Sequence, residues 1–184
     1  EFSEEISKAG SQPIIGTQIN FKFQNLIGTV PLIAKNNVGY ENILDLSSSS
    51  YLTSDKDDFS PYCELQELLD KCEGIIVLSG SLDSLSGSLF QKNKIDELTK
   101  FYELLRNKFN DNFYIEIQRH NDLNEIQFEK VNLSLSHQLK IPIIATHEVF
   151  YIDKSMYEAH DALLCIKNKN YVSDKERIKL SKNH

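Results

Sequence analysis

The sequence predicts an α/β domain built on a mostly parallel sheet with outer helices, and three observations carry that prediction. From Gly74 onward, apolar runs of strand length alternate with helical stripes, and parallel neighbours need such a crossover of a dozen or more residues. The 184 residues are 40% hydrophobic and 10% aromatic, enough to fill one core and too apolar for a disordered chain. No apolar run approaches the ~18 residues of a membrane span, so the chain reads as one soluble domain. The alternation suits a barrel or a doubly wound layer.

Each element has its own signal. Glu1 to Gly10 reads as the tail of an amphipathic helix stopped by glycine. Pro13 to Phe21 and Thr29 to Ala34 have strand length and β-branched content, with Gly28 between them as the turn. Tyr40, Ile43, Leu44 and Tyr51 recur at helical spacing. Ser47 to Ser50 and Thr53 to Asp58 read as solvated loop, and Cys63 to Lys71 as a second helix with Ser60 as cap and Pro61 in its first turn. Gly74 to Leu78 is a buried strand. Ile95, Leu98, Phe101, Tyr102, Leu105 and Phe109 form a helical stripe, and Phe113 to Ile117 a strand. Phe128, Val131, Leu135 and Leu139 form a helix, Ile141 to Ala145 a strand, and Met156, Ala159, Leu163 and Leu164 a last helix. The polar segment 168–184 reads as loosely held and leading out of the domain.

Charge and cysteine content exclude whole classes. Twenty basic against 27 acidic side chains give a net charge of −7. Nucleic-acid affinity is dominated by Lys and Arg displacing counterions, so this chain alone is a poor DNA binder. Cys63, Cys72 and Cys165 are odd in number and form no CxxC, which supports neither a disulfide framework nor a zinc knuckle and fits a reducing cytosol. Cys72 and Cys165 read as small buried hydrophobes.

Parallel sheets place their sites at the carboxyl ends of strands, where loops vary over a rigid core. Three such ends are legible: Ser79 to Asp83, Gln118 to His120, and Thr146 to Glu148. A hydroxyl, an arginine, two imidazoles and carboxylates converging there would suit a metal or a phosphate; ordinary polar loop tops are the plainer alternative. Ser79 to Ser88 is rich in glycine and serine but lacks the Gly-Lys-Ser/Thr ending of a phosphate loop. His160 and Asp161 are adjacent rather than four apart, so His160 reads as a cap or surface residue.

Five motifs, in order over nearly the whole chain, carry a resemblance. They are Pro13 to Gln18, Leu32 to Ile43, Gly74 to Gly80, Tyr114 to His120, and Ile141 to Thr146 followed by Ala159 to Leu163. In this order they resemble the polymerase-and-histidinol-phosphatase (PHP) domain of the bacterial replicative DNA polymerase III alpha subunit. The resemblance implies that residues 1–184 are a single domain, part of a distorted (β/α)7 barrel. The family's first two strands, with their paired histidines, would lie upstream of Glu1 and leave the strand Pro13 to Phe21 with an incompletely paired outer edge.

In active members, those histidines join an acid, further histidines or a cysteine, and a late Asp and His around a cluster of metal ions. By position, the early acid falls on Gln18, a histidine on Thr29 and the cysteine on Ser81. The late motif Ala-Thr-Asn-Asp-Val-His-Tyr stands here as Ala145-Thr146-His147-Glu148-Val149-Phe150-Tyr151, so its Asp and His fall on Glu148 and Phe150. Only Glu148 retains an anionic ligand, and His120 and His147 are the residual candidates. A neutral amide, two hydroxyls and a phenyl ring lack the charge and lone pairs that several divalent cations need.

The resemblance therefore implies a degenerate domain with no catalytic residue and no cofactor of its own, Mg serving the parent polymerase. It implies a cytoplasmic scaffold in DNA replication that docks the proofreading exonuclease subunit and meets other polymerase III holoenzyme subunits. DNA would be met through regions outside this chain, with no membrane involved. The alternative is a metal-dependent phosphoesterase or proofreading exonuclease of the same superfamily, and only it calls for a divalent metal cluster.

Overall fold

The computed structural model describes residues 1–53, 61–120 and 123–180. After a short helix, α1 (Phe2–Lys8), strands β1 (Gly16–Phe23) and β2 (Leu26–Ala34) form an antiparallel hairpin. Its turn falls at Gln24 and Asn25, with Gln24 at φ 54, rather than at Gly28. Gly28 lies inside β2, where a Cβ would overlap the backbone of Leu85, so this glycine marks a close approach and not a reversal.

Helix α2 (Asn37–Thr53) runs through Ser47 to Ser50 and corrects the loop expected there. Helical serines can return their hydroxyls to carbonyls of the preceding turn: Ser48 Oγ donates to Leu44 O at 2.9 Å and Ser50 Oγ to Ser47 O at 2.8 Å. Ser49 Oγ donates to Glu67 at 2.6 Å. The remaining expected loop, 54–58, and the expected cap Ser60 lie outside the described residues. Cys63 to Lys71 is not one helix. Strand β3 (Cys63–Glu64) pairs in parallel with Phe21 and Lys22, and α3 (Leu65–Asp70) begins after it. The Glu64 N–H donates to Glu67 Oε1 at 3.1 Å, which closes the first turn. The Cys63 thiol donates to Leu46 O at 3.2 Å, and burial pushes its pKa up to about 11.

The second half follows the expected alternation: β4 (Ile75–Leu78), α4 (Leu85–Gln91), α5 (Ile95–Phe109), β5 (Phe113–Ile117), α6 (Leu123–Leu139), β6 (Ile143–Ala145) and α7 (Tyr157–Asn168). Helix α4 takes in Leu85 to Ser88, the second half of the glycine- and serine-rich run. Ser84 caps it, its Oγ accepting from Gly87 N at 3.3 Å. The six strands form one sheet in the order β3-β1-β2-β4-β5-β6, parallel in three of five pairings. Ladder pairing of β3 with β1 covers only Phe21 and Lys22, leaving Gly16 to Asn20 without a second ladder among the described residues.

The α5 stripe fills the core, with only Ile95 exposed. Phe101 meets Phe23 at 5.4 Å between ring centroids, and Tyr102 meets Phe113 edge-on at 5.6 Å. The buried Tyr102 hydroxyl donates to Asn132 Oδ1 at 2.9 Å. Cys165 is buried and Cys72 half-buried. Among the described residues, no helix is long and apolar enough to cross a membrane.

On α7 the buried face is Tyr157, Asp161 and Cys165, four residues apart, while Met156 and Leu163 of the expected stripe are exposed. A buried aspartate needs a partner, and Arg177 supplies it, with Nη2 2.7 Å from Asp161 Oδ2. Arg177 Nε also donates to Val172 O at 3.2 Å, and Tyr157 Oη donates to Leu180 O at 3.1 Å. Residues 171–180 are therefore tied to α7 rather than loosely held.

The Arg177 guanidinium holds the Asp161 carboxyl below its ordinary pKa. A depressed folded pKa contributes stability above the ordinary value of 3.8 that is lost as pH falls through the folded value. Amide protection across 171–180, taken relative to the intrinsic exchange rate at each pH, is thus expected to fall below pH 3.8. Asp161→Asn should show the same loss of protection at neutral pH. Unchanged protection in both experiments would show that other contacts hold the segment.

Candidate functional site

The carboxyl ends of β4, β5 and β6 meet the β1–β2 hairpin around a cleft of about 250 Å³. Gln18, Thr29 and Pro31 face it from the hairpin, Ser81 and Asp83 from the turn after β4, and Glu116 and Gln118 from the end of β5. Thr146, His147 and Glu148 complete it after β6. Pro31 has no N–H to extend a ladder, and the β2–β4 pairing begins one residue later, at Leu32. The sheet therefore opens where the polar side chains gather.

Ser79 joins the strand ends. Its N–H donates to Tyr114 O at 2.9 Å, and its Oγ accepts from Glu116 N at 2.9 Å. Its carbonyl accepts from the hydroxyls of Ser84 and Ser86. The tight turn that follows uses Gly80 at φ 83, where a Cβ would overlap Ser84. Glu116 is 7% exposed. Its Oε1 accepts from Gln118 Nε2 at 3.0 Å and from the Thr146 hydroxyl, whereas Oε2 is buried with no hydrogen-bond partner among the described residues.

The positions singled out in the sequence separate here. Gln18, Thr29, Ser81, His147 and Glu148 share the cleft. Phe150 lies away from the lining, its ring stacked on His160 at 5.0 Å, so His160 packs against aromatic rings instead of acting as a cap. His120 is buried; its ring packs on His147 at 4.7 Å, and its Nδ1 lies 2.6 Å from Glu125 Oε1. Arg119 turns outward, its Nη2 2.6 Å from Glu129 Oε1, and the pairing holds the Glu129 carboxyl below its ordinary pKa. The expected convergence of an arginine with the imidazoles does not occur.

Glu116 is the residue that sequence reasoning missed. The available signal was a single charge inside the apolar strand Phe113-Tyr114-Ile115-Glu116-Ile117. Chemically, the lining offers carboxylates, hydroxyls, amides and one imidazole, with no Lys or Arg among the described residues that form it. It suits donors and cations rather than phosphate. Also among the described residues, no group of three His, Cys, Asp or Glu side chains is placed to hold one metal ion.

Comparison with known proteins places this geometry. Residues 1–120 match the PHP domain. Over 168 residues the chain is 36% identical to DNA polymerase III subunit alpha of Rickettsia bellii, spanning 90% of this chain and 14% of that protein. Over 197 residues it is 32% identical to DNA polymerase III subunit alpha of Caulobacter vibrioides, spanning 100% of this chain and 17% of that protein. The match to the Rickettsia prowazekii subunit is 37% identical over 168 residues, with 90% of this chain and 14% of that protein covered. On these matches the chain belongs to the PHP domain family.

Proposed function

We propose that this chain is part of a cytoplasmic, replicative DNA polymerase III alpha subunit, in which a degenerate PHP domain braces the polymerase and docks the separate proofreading exonuclease subunit. The six-stranded sheet would then be part of a distorted (β/α)7 barrel. Nucleotidyl transfer, its Mg and the contacts to DNA and other holoenzyme subunits belong to other regions of that protein. The carrying observation is the donor set: at positions where active relatives use an acid, a histidine and a cysteine, the cleft presents Gln18, Thr29 and Ser81. Phe150, standing for a further histidine, turns to His160. Neutral amide and hydroxyl groups do not fit a cluster of several divalent ions, whose mutual repulsion needs anionic ligands.

Sedimentation of the purified protein mixed with the exonuclease subunit of the same replisome tests the docking. A stoichiometric complex with a dissociation constant of about 10 µM or tighter, unchanged by chelator, is expected. Independent sedimentation of the two proteins at that concentration would overturn the docking role.

A further inference from the structure

Helix α7 is apolar on two opposite faces, and one of them is bare among the described residues. Tyr157, Asp161 and Cys165 are buried, with Arg177 and Leu180 tied to that side. At 3.6 residues per turn, Met156, Ala159, Leu163 and Ile166 fall on the other side. All four are exposed, Leu163 by 64% and Ile166 by 75%. Their spacing of three, four and three residues is that of a seam between packed helices. Phe150, 42% exposed and stacked on His160 at 5.0 Å, extends this surface along its border. A surface helix keeps its outer face polar, whereas a helix apolar on opposite faces belongs to an interior layer.

We propose that the outer face of α7 is covered by an apolar helix face from another region of the same polypeptide, outside residues 1–184. The proposal rests on the reading of this chain as part of a longer alpha subunit. The chain spans 14–17% of the polymerase subunits it matches, so most of each relative lies outside the match. Area separates this occupant from a free partner. Twelve residues of helix are about 18 Å long and present a strip about 10 Å wide, on the order of 200 Å². A separate protein, whether a second copy or another subunit, needs about 800 Å² on each side to bind stably. A contact within one polypeptide loses no translational or rotational freedom of association, so a strip of this size is enough. Lys167 and Lys169, exposed at the C-terminal end of the strip, call for acidic residues at the matching end of the occupant.

Hydroxyl-radical footprinting of the full-length subunit, read by mass spectrometry, tests this on the unmutated protein. Leu123, 79% exposed, is the internal reference of the same residue type. Leu163 is expected to label at least about fivefold more slowly than Leu123, as a side chain inside a dry interface does. A benzophenone side chain substituted for Leu163 should then cross-link, within one monomer, to a peptide outside residues 1–184. Three results overturn the proposal: labelling of Leu163 as fast as that of Leu123, a cross-link to a second copy, or a cross-link to the exonuclease subunit. Primer extension by the same preparation keeps the two readings apart. Extension by a protein whose Leu163 is open sinks this inference and leaves the polymerase reading standing. A Leu163 covered and cross-linked within the monomer, in a protein that extends no primer, does the reverse.

Discussion

Phe101→Ala is expected to lower the unfolding free energy by about 3–5 kcal/mol, the largest single-residue effect in the domain. Phe101 is fully buried, between Phe23 at 5.4 Å and Tyr102 at 6.1 Å. Truncation removes the transfer free energy of the ring and leaves a void that rigid neighbours on β1 and α5 cannot close. For a slope of about 2–3 kcal/mol/M, the urea midpoint should fall by about 1–2.5 M. A midpoint within about 0.3 M of the parent would mean that the α5 stripe is not the centre of the core.

Gly39→Ala should be next, at about 3 kcal/mol, the upper end for overpacking. In an ordinary helix position that change stabilises by about 0.5–1 kcal/mol, so the sign itself is diagnostic. Gly39 lies in the first turn of α2, its N–H donating to Asn36 Oδ1 at 3.0 Å. A Cβ there would overlap the carbonyl of Gly74. Gly74 cannot yield easily, because its φ of 70 suits glycine and its carbonyl already accepts from Lys35 N at 2.8 Å. Loss of this contact separates the start of α2 from the turn into β4. Chemical denaturation reads the change, and an unaltered or raised midpoint would contradict the contact.

Much of this architecture was legible where burial decides the pattern. The apolar runs at Ile75 and Phe113 became strands, and the α5 stripe became the core helix, because their apolar residues outweigh the one charge, Glu116, that falls inside them. The misreadings share a cause, since local polarity was read as solvation while hydrogen-bond partners within the fold, some in the same helix and some distant, satisfied it. Ser48 and Ser50 bond back to carbonyls within α2, and Asp161 turns inward because Arg177, sixteen residues later, neutralises it. Such pairing leaves no local periodicity to detect. Gly28 gave a turn signal, yet its reason is Leu85, fifty-seven residues away. At the site, the three strand ends were legible from topology. Convergence of Gln18 and Thr29 on them follows from hairpin register, Gln18 opposite Pro31 and Asn20 opposite Thr29, which composition does not encode.

The scaffold reading stands most directly on the chemistry of the cleft, and metal content tests it. Zinc and manganese are measured by elemental analysis of the purified full-length protein after exchange into metal-free buffer, alongside hydrolysis of a phosphodiester with and without chelator. Fewer than about one such ion per chain, and no chelator-sensitive hydrolysis, are expected from a lining of Gln18, Thr29 and Ser81. Two or more ions per chain, with hydrolysis abolished by chelator, would contradict the account and establish a metal-dependent phosphoesterase.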